Sequence, residues 1–328
     1  MKNLSSPPNE EDKILASLRP KEWKEYIGQE NVKKNLKIIV QASLQRKEVC
    51  CEHILLYGQS GLGKTSLAYL IAKEMGSEIR VVSAPSLQRI GDLAAILTNL
   101  SQGDVLFVDE IHRLNKYCEE IIYPVLEDFK LNLVIGKGPM ARTIDLDIPK
   151  FTFIGATTRM ALLSSPLRNR FGATFQLEYY SQKDIEQIIQ QSALFLKVKI
   201  DPKAIKILAS CSRFTPRVAN RLLKRARDFA QVEGTGEITE QIAKNTLEAL
   251  KIDRLGLETG DRKILKTIIE KFNGGPVGIQ ALAAASLEEE DTILDIYEPY
   301  LMQLGFLKRT TRGRIITKSA CQHLGCQK

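Results

Sequence analysis

Long apolar runs are missing from this 328-residue chain. No stretch approaches the roughly 18 consecutive apolar residues that a membrane-spanning helix needs. The chain begins with the polar stretch MKNLSSPPNEED, which lacks the apolar centre of a secretory signal. The sequence therefore predicts a cytoplasmic protein without membrane association, beginning with a mobile polar segment.

Histidine and cysteine are scarce, and their spacing disfavours a structural metal site. The chain has three widely separated histidines and six cysteines, none of them in a C-x-x-C arrangement. Structural zinc sites usually contain such closely spaced pairs. Because no export signal is present, free thiols in a reducing compartment are the better interpretation.

Acidic residues are absent from position 299 to the end, although the same stretch is rich in basic residues. The whole chain has a net charge of +8, which is compatible with an anionic partner. Apolar residues flank the basic ones as strand residues would, so a folded basic hairpin is a better interpretation than a solvated tail. The basic residues are Lys308, Arg309, Arg312, Arg314 and Lys318.

Residues 58–65 read GQSGLGKT, which matches the P-loop pattern G-x-x-x-x-G-K-[ST]. The glycines, among them Gly61 and Gly63, let backbone N–H groups surround phosphates, while Lys64 reaches the terminal phosphates and Thr65 can bind Mg²⁺. An apolar strand is predicted before the loop and a helix after it. This context favours a nucleoside triphosphate site over a chance glycine-rich turn.

A second apolar strand, predicted at 104–108, ends in Asp109 and Glu110. At such a position Asp109 can hold Mg²⁺ through water, and Glu110 can orient or deprotonate an attacking water. Strands alternate with helices across this part of the chain, which predicts a parallel sheet with right-handed crossovers.

A third strand, predicted at 151–155, is followed by a polar stretch and then by Arg168 and Arg170. A polar side chain at this strand end would lie near the γ-phosphate. An arginine near a P-loop site suggests an arginine finger, which stabilises transition-state charge and is worth about 10³–10⁵ in rate. A surface salt bridge is the alternative, and spacing alone does not decide between them.

The rest of the chain predicts a protruding hairpin and two helical regions. Residues 131–135 and 142–146 flank a Gly-Lys-Gly-Pro turn, and such an insertion favours contact with a partner. From about 181 to 250 the pattern is all-helical, with Arg217 at a helix start, where the helix dipole favours an anion. From 254 onward, three helices and the basic hairpin predict a winged helix able to bind DNA.

The motifs together resemble the AAA+ ATPases, and within them the bacterial Holliday-junction branch-migration motors. The most specific pieces are FVDEIHRL (107–114), IGKGP (135–139), GATTR (155–159) and GFLKRTTRGR (305–314). The resemblance implies an α/β P-loop (AAA+) parallel-sheet domain at 1–180, a small all-helical lid domain at 181–253 and a winged-helix domain at 254–328.

The resemblance also implies roles for single residues. It makes Lys64 and Thr65 the Walker A pair and Asp109 and Glu110 the Walker B acids. The other implied catalytic or sensing residues are Thr158 (sensor 1), Arg170 (a finger acting on the neighbouring subunit) and Arg217 (sensor 2). The further implied ATP contacts are Leu18, Arg19, Ser66, Glu127, Asp128, Phe129 and Tyr180. The hairpin at 132–146 would dock a RuvA-like junction-binding partner, and Arg309 and Arg314 would contact DNA.

Four positions depart from the family pattern. Gln59-Ser60 stands where a proline pair is usual, which loosens the loop but removes no phosphate donor. Met140 stands where a small residue is usual. Glu290 stands in a region where the family tends to carry a basic residue, which favours the wing over the recognition helix as the DNA contact.

The function implied is an ATP-driven translocase that forms a homo-hexameric ring and moves duplex DNA at four-way junctions in homologous recombination and DNA repair. A clamp-loader-like AAA+ ATPase that remodels a protein partner on DNA is the main alternative, and the basic wing argues against it. A transcription regulator would bind DNA with strong base preference, whereas a translocase should bind mainly phosphates. A P-loop protein with a small substrate would not need three domains.

Overall fold

The computed structural model describes residues 17–135 and 142–326. The chain divides into two compact units, the first ending at Asp184 and the second beginning at Ile185. The polar segment predicted at the start lies outside the described residues. The division into domains at residues 180 and 253 stays a prediction. Within the described residues, no helix is both long and apolar enough to cross a membrane.

A five-stranded parallel sheet forms the centre of the first unit. Its strands are β1 (Ile54–Tyr57), β2 (Ile79–Ser83), β3 (Val105–Asp109), β6 (Thr152–Thr157) and β7 (Ala173–Gln176). They are arranged in the order β2-β3-β6-β1-β7. The predicted strands are confirmed to within two residues. Strand β7, at the edge of the sheet and only half-buried, was not predicted, because its residues ATFQ form no continuous apolar run of the kind that marks β1.

Helices α1 (Glu30–Gln45), α2 (Lys64–Met75), α3 (Ile90–Thr98), α4 (Lys116–Asp128) and α5 (Ser165–Arg168) belong to the same unit. Helix α2 packs against β2, β3 and β6. Helix α4 was not predicted, because Pro124 in its interior counts against a helix. A buried apolar core joins α3 and α4 to the sheet; it includes Leu93, Leu97, Leu106, Ile122, Val125 and Phe153.

The order of the strands determines which loops meet. Strand β6 lies between β3 and β1, with Val108 opposite Gly155 and Tyr57 opposite Thr157. All three strands run in the same direction, so their carboxyl ends share one edge of the sheet. The P-loop, the acids after β3 and Thr158 therefore meet at this edge.

The predicted hairpin is present. Strands β4 (Lys130–Ile135) and β5 (Arg142–Asp147) pair antiparallel, with Leu133 opposite Ile144. Every residue of β5 is exposed. The turn at 136–141, which includes Met140, lies outside the described residues.

The second unit is helical, with a small hairpin. Its helices are α6 (Gln182–Phe195, entering from the first unit), α7 (Pro202–Ser210), α8 (Pro216–Glu233), α9 (Glu240–Ala249), α10 (Thr259–Phe272), α11 (Ile279–Ser286), α12 (Glu290–Thr292), α13 (Glu298–Gln303) and α14 (Lys318–Leu324). The predicted basic hairpin is confirmed as β8 (Leu307–Thr310) and β9 (Gly313–Ile316).

One predicted helix, at 292–304, is divided. A π-helical segment (Ile293–Tyr297) joins α12 to α13. Pro299 follows this segment and has no N–H to donate to the helix ladder. The pattern of apolar residues predicts the helix but not the change in its hydrogen bonding.

The His53 ring makes hydrogen bonds to both β6 and α4 at the amino-terminal edge of the sheet. Its Nδ1 accepts the Phe153 N–H at 3.1 Å, and its Nε2 lies 3.0 Å from the Leu126 carbonyl of α4. The rings of Phe129 and Phe151 lie about 6 Å from it, with centroid separations of 6.1 and 5.9 Å. Accepting at Nδ1 requires a neutral ring with its proton on Nε2. Burial lowers the pKa of His53, in agreement with this state.

This arrangement predicts a stability that depends on pH. The pKa of His53 is lower in the folded than in the unfolded chain. Its contribution to the free energy of unfolding is therefore complete above the unfolded pKa of about 6.5 and is lost as pH falls through the folded pKa. We expect the free energy of unfolding of the first unit to decline between pH 7 and pH 5, and His53→Gln to flatten that decline. The fluorescence of Trp23, the single tryptophan, reports on this unit. An unchanged pH slope in the variant would contradict the assignment.

Candidate functional site

The P-loop has the backbone of a phosphate-binding loop. Gly58, Gly61 and Gly63 have φ angles of 143°, 83° and 100°, which L side chains rarely adopt. A Cβ at Gly58 would also lie 2.5 Å from the Leu177 carbonyl oxygen. Helix α2 starts at Lys64 with no side-chain cap, and the first N–H groups of a helix have no intrahelical acceptor. The loop therefore offers uncapped donors at a helix start, which suits an anion.

Two buried tyrosines brace this loop from behind. The Tyr180 hydroxyl donates to the Leu62 carbonyl at 3.1 Å and lies 3.2 Å from the Tyr26 hydroxyl. The Tyr26 hydroxyl lies 2.6 Å from where a Cβ at Gly63 would be. Burial raises the pKa of Tyr180 to about 12, so its hydroxyl stays protonated as a donor. Tyr26 was not predicted, since nothing in its sequence context indicates a contact with a loop 36 residues away.

Lys64 lies over the P-loop. Its ammonium donates to the carbonyls of Gly58 at 2.7 Å and Gln59 at 3.0 Å. The side chain is buried, and this burial lowers the pKa of Lys64, while the carboxylates of Asp109 and Glu110 act in the opposite direction. The structure thus brings the predicted lysine and both predicted acids into one electrostatic site.

Glu110 and Thr158 are in contact. The Thr158 hydroxyl donates to Glu110 Oε2 at 3.1 Å, and the Thr158 N–H lies 3.4 Å from the same oxygen. Glu110 has a φ of 50°, a left-handed conformation uncommon for residues other than glycine. The chain turns sharply after β3, so the Glu110 carboxylate faces the end of β6. The polar residue predicted at this strand end meets the predicted base.

His112 also belongs to this group and was not predicted as a site residue. Its Nδ1 lies 3.1 Å from Glu110 Oε2 and 2.9 Å from the Thr157 hydroxyl. The motif FVDEIHRL contains this histidine, but only the fold shows that the short 3₁₀ helix at Ile111–Arg113 directs it back to the acid.

Other predicted nucleotide contacts lie near the P-loop helix. The Arg19 guanidinium lies over the ring of Tyr69 in α2, 5.0 Å from its centroid. Leu18 is partly buried, and Thr65 and Ser66 are partly buried in the first turn of α2.

Arg170 lies at the opposite edge of the sheet. It precedes the start of β7, where the Ala173 N–H donates to the His53 carbonyl just before β1. Its guanidinium pairs with Glu127 at 3.0 Å, donates to the Pro166 carbonyl at 2.8 Å and lies 4.5 Å from the centroid of Tyr123. Strands of four to six residues separate it from the P-loop edge, a distance of roughly 13–20 Å.

The predicted contacts Glu127, Asp128 and Phe129 lie with Arg170 rather than with the P-loop. They form the end of α4, and Phe129 packs on His53 at the amino-terminal edge of the sheet. Contact with the nucleotide bound at the P-loop of the same chain does not fit this placement. Their role in nucleotide binding stays a prediction.

Arg217, the predicted sensor 2, is exposed in the first turn of α8 in the second unit. The helix begins with Pro216 in its first turn, as predicted, and Thr215 at the N-cap position makes no side-chain cap. Its role in nucleotide binding stays a prediction.

The two predicted DNA contacts of the wing differ in exposure. Arg309 is exposed on β8. Arg314, opposite it on β9, is 5% exposed, and its guanidinium donates to Glu298 Oε2 at 3.0 Å. Glu298 is itself buried on α13. The direct DNA contact of Arg314 stays a prediction, and in this structure its guanidinium fixes the wing to the helix. The exposed cations of the wing are Lys308, Arg309 and Arg312.

A matched pair of variants tests this distinction. Arg314→Ala leaves Glu298 buried without its cation, so we expect it to reduce the stability of the second unit by about 3–5 kcal/mol. Arg309→Ala should change stability by no more than about 0.5 kcal/mol but should weaken DNA binding. Urea unfolding followed by circular dichroism measures the first effect, and fluorescence anisotropy of labelled duplex DNA the second. An Arg314→Ala protein with unchanged stability and reduced DNA affinity would instead make Arg314 a DNA contact.

Comparison with known families covers nearly the whole chain. The model of the Holliday junction DNA helicase RuvB P-loop domain matches residues 18–177, the RuvB AAA lid domain residues 180–253, and the RuvB C-terminal winged helix domain residues 254–325. The predicted fold class, a parallel-sheet P-loop domain followed by a helical lid and a winged helix, is confirmed.

Individual relatives agree with these matches. The Holliday junction branch migration complex subunit RuvB of Dehalococcoides mccartyi (strain CBDB1) is 55% identical over 312 residues, which cover 95% of this chain and 89% of the relative. The structure of the Thermotoga maritima RuvB Holliday junction branch migration motor is 50% identical, with a TM-score of 0.87 over 95% of this chain and 99% of that one. The structure of a T. maritima RuvB K64R mutant, also 50% identical with the same coverage, has a TM-score of 0.88. This chain belongs to the RuvB family.

Proposed function

We propose that the protein is an ATP-driven motor that moves duplex DNA at Holliday junctions and so drives branch migration. The observation that carries the proposal is the separation of the catalytic groups to the two edges of one sheet. The P-loop, Asp109 and Glu110 occupy one edge, and Arg170 the other. An Arg170 that cannot reach the P-loop of its own chain can complete the site of a neighbour.

The residues at the P-loop edge fit Mg²⁺. This ion prefers hard oxygen ligands and usually combines one or two protein oxygens with phosphates and water. The Thr65 hydroxyl and the Asp109 carboxylate supply such oxygens from the start of α2 and the end of β3. When bound, Mg²⁺ would neutralise charge on the phosphates of ATP.

Side chains of this protein can supply the positive charge and the general base that ATP hydrolysis needs. Lys64 supplies positive charge to the terminal phosphates, and Glu110 orients the attacking water and accepts its proton. The hydrogen bond from Thr158 to Glu110 holds the base toward the end of β6. This contact also links the base to sensor 1, so a change at the γ-phosphate can alter how Glu110 is held.

Completion of each site by the next subunit requires a closed assembly. A head-to-tail contact between identical chains forms a ring when its rotation closes. We propose a homo-hexameric ring with ATP between neighbouring subunits and Arg170 arriving from the next subunit. Arg217 of the lid would sense the same nucleotide.

DNA contact is proposed for the wing of the winged-helix domain at 254–328. Lys308, Arg309 and Arg312 are exposed there. The start of the third helix is acidic instead, with Glu289, Glu290 and Asp291 all exposed. Acidic side chains repel phosphates, so the charge distribution supports the wing rather than the helix as the DNA contact.

The hairpin at 132–146 is proposed to dock a RuvA-like protein on the junction. Ile144 and Leu146 are 42% and 36% exposed on β5, which provides apolar contact area away from the sheet. Because the proposed substrate is chromosomal DNA undergoing homologous recombination and repair, we place the protein in the cytoplasm.

The test is an ATPase assay of the full chain with four-way junction DNA, a RuvA-like protein, both, or neither. A branch-migration motor should be stimulated most by the two together, and should convert labelled junctions to duplex products only with hydrolysable ATP. Stimulation by the partner protein alone, without junction conversion, would favour a clamp-loader-like ATPase and contradict the proposal.

A further inference from the structure

Arg170 is held by three groups of different chemistry. Glu127 offers a carboxylate, Pro166 a backbone carbonyl, and Tyr123 the face of its ring. The Arg170 Nε is buried without a hydrogen-bond partner, and its side chain is 20% exposed. The guanidinium therefore has a defined position before any neighbouring subunit arrives.

Tyr123 is itself fixed at its far end. Its hydroxyl donates to Glu119 Oε1 at 2.5 Å and lies 3.1 Å from the Ser164 hydroxyl. Ser164 donates to the same Glu119 oxygen and also caps α5, where its Oγ accepts the Leu167 N–H at 3.2 Å. The network ties α4 to the turn that carries Arg170, so the ring has little freedom to rotate.

The three contacts differ in what they do to the charge of Arg170. Glu127 neutralises the guanidinium and, with 54% of its side chain exposed, is a weak pair in water. An aromatic face attracts a cation and fixes its plane without cancelling its charge. Tyr123 can therefore orient Arg170 while leaving its charge available to a phosphate.

We propose that Tyr123 is a positioning residue for Arg170, holding the guanidinium in the plane and direction needed to enter the ATP site of the neighbouring subunit. The inference rests on the proposed function of Arg170 as a finger acting in trans. Misplacement of a catalytic group by about 1 Å can cost about 10² in rate. Loss of the ring should therefore reduce kcat strongly and leave the KM for ATP unchanged.

The experiment uses mixed assemblies of full-length subunits on junction DNA. Donor subunits carry Glu110→Gln, which removes their own hydrolysis but keeps Arg170. Acceptor subunits carry Arg170→Ala, which keeps their own P-loop site but removes the finger. ATP hydrolysis by the mixture then comes from acceptor sites completed by donor fingers.

Tyr123→Leu is placed in the donor or in the acceptor. In the donor it should lower mixed activity by about 10²-fold, while in the acceptor, whose finger is already absent, it should have no effect. Tyr123→Phe in the donor keeps the ring and should retain most of the activity. Tyr117→Leu is the matched control, since Tyr117 lies on the same helix and is 70% exposed.

Four results would overturn the inference. Equal losses of mixed ATPase activity from Tyr123→Leu in the donor and in the acceptor would show a general structural role. Loss of ATP binding by the Tyr123→Leu donor would show the same. Full mixed activity with Tyr123→Leu in the donor would show that the ring is not needed, although the finger assignment would survive. An inactive reference mixture, without any Tyr123 change, would instead refute the action of Arg170 in trans and the inference with it.

Discussion

Arg170→Ala should lower kcat for ATP hydrolysis by about 10³–10⁵-fold while leaving ATP binding unchanged. As the proposed finger, the guanidinium would stabilise charge that develops in the transition state of a neighbouring site, so its loss should affect the chemical step and not the ground state. The structure supports an effect on kcat without an effect on ATP binding, because Arg170 lies at the amino-terminal edge of the sheet and the P-loop at the carboxyl edge.

Single-turnover hydrolysis and binding of a fluorescent ATP analogue measure the two effects separately. Arg168→Ala is the matched control, since Arg168 is exposed on the same turn and contacts the Ser165 hydroxyl. Mixing Arg170→Ala subunits with Lys64→Ala subunits should restore part of the activity. Normal hydrolysis by Arg170→Ala alone would contradict its assignment as a finger.

Glu110→Gln should lower kcat by about 10²–10⁴-fold, the usual contribution of a general base. Glutamine keeps the shape and can accept the Thr158 hydrogen bond, but it cannot take a proton from water. ATP should therefore still bind and the ring should still assemble on DNA. The Lys64 ammonium and the Asp109 carboxylate remain in place, so phosphate and Mg²⁺ binding are preserved.

Measurements of pre-steady-state ATP hydrolysis and of ATP binding distinguish a slower chemical step from misfolding. Glu120→Gln is the matched control, since Glu120 is an exposed acid on α4. If Glu110→Gln retained more than a tenth of the wild-type kcat, another group would have to activate the water. His112, within 3.1 Å of the same carboxylate, would then be the first residue to replace.

Motifs that lie close together in sequence were predictable. A P-loop needs only eight consecutive residues between a strand and a helix, and the acids follow directly from a buried strand. The helices of the second unit, except the last one at Lys318–Leu324, were predicted for a similar reason, since apolar spacing repeats within each helix. Elements with weak local signals, such as α4 with its internal proline, were missed.

Contacts between distant segments were not predictable from such patterns. Tyr26 and Tyr180 lie 154 residues apart, yet their hydroxyls meet behind the P-loop. The family resemblance implied that Arg314 contacts DNA, and only the tertiary structure shows that its side chain is buried against Glu298 of α13. The side-chain environment of a residue depends on which elements pack together, and charge composition does not contain that information.

The sequence by itself determined that this protein has a nucleoside triphosphate site, a parallel-sheet domain, a helical region and a basic wing, because each of these follows from short-range patterns of residue type. Only the tertiary structure shows at which edge of the sheet each proposed catalytic group lies. Parallel strands gather their carboxyl ends at one edge, so Lys64, Asp109, Glu110 and Thr158 meet there, while the return from β6 to β7 carries Arg170 to the other edge beside Tyr123 and Glu127. A side chain cannot span the length of the strands between them, and for that physical reason we propose that a second copy of the chain completes the site.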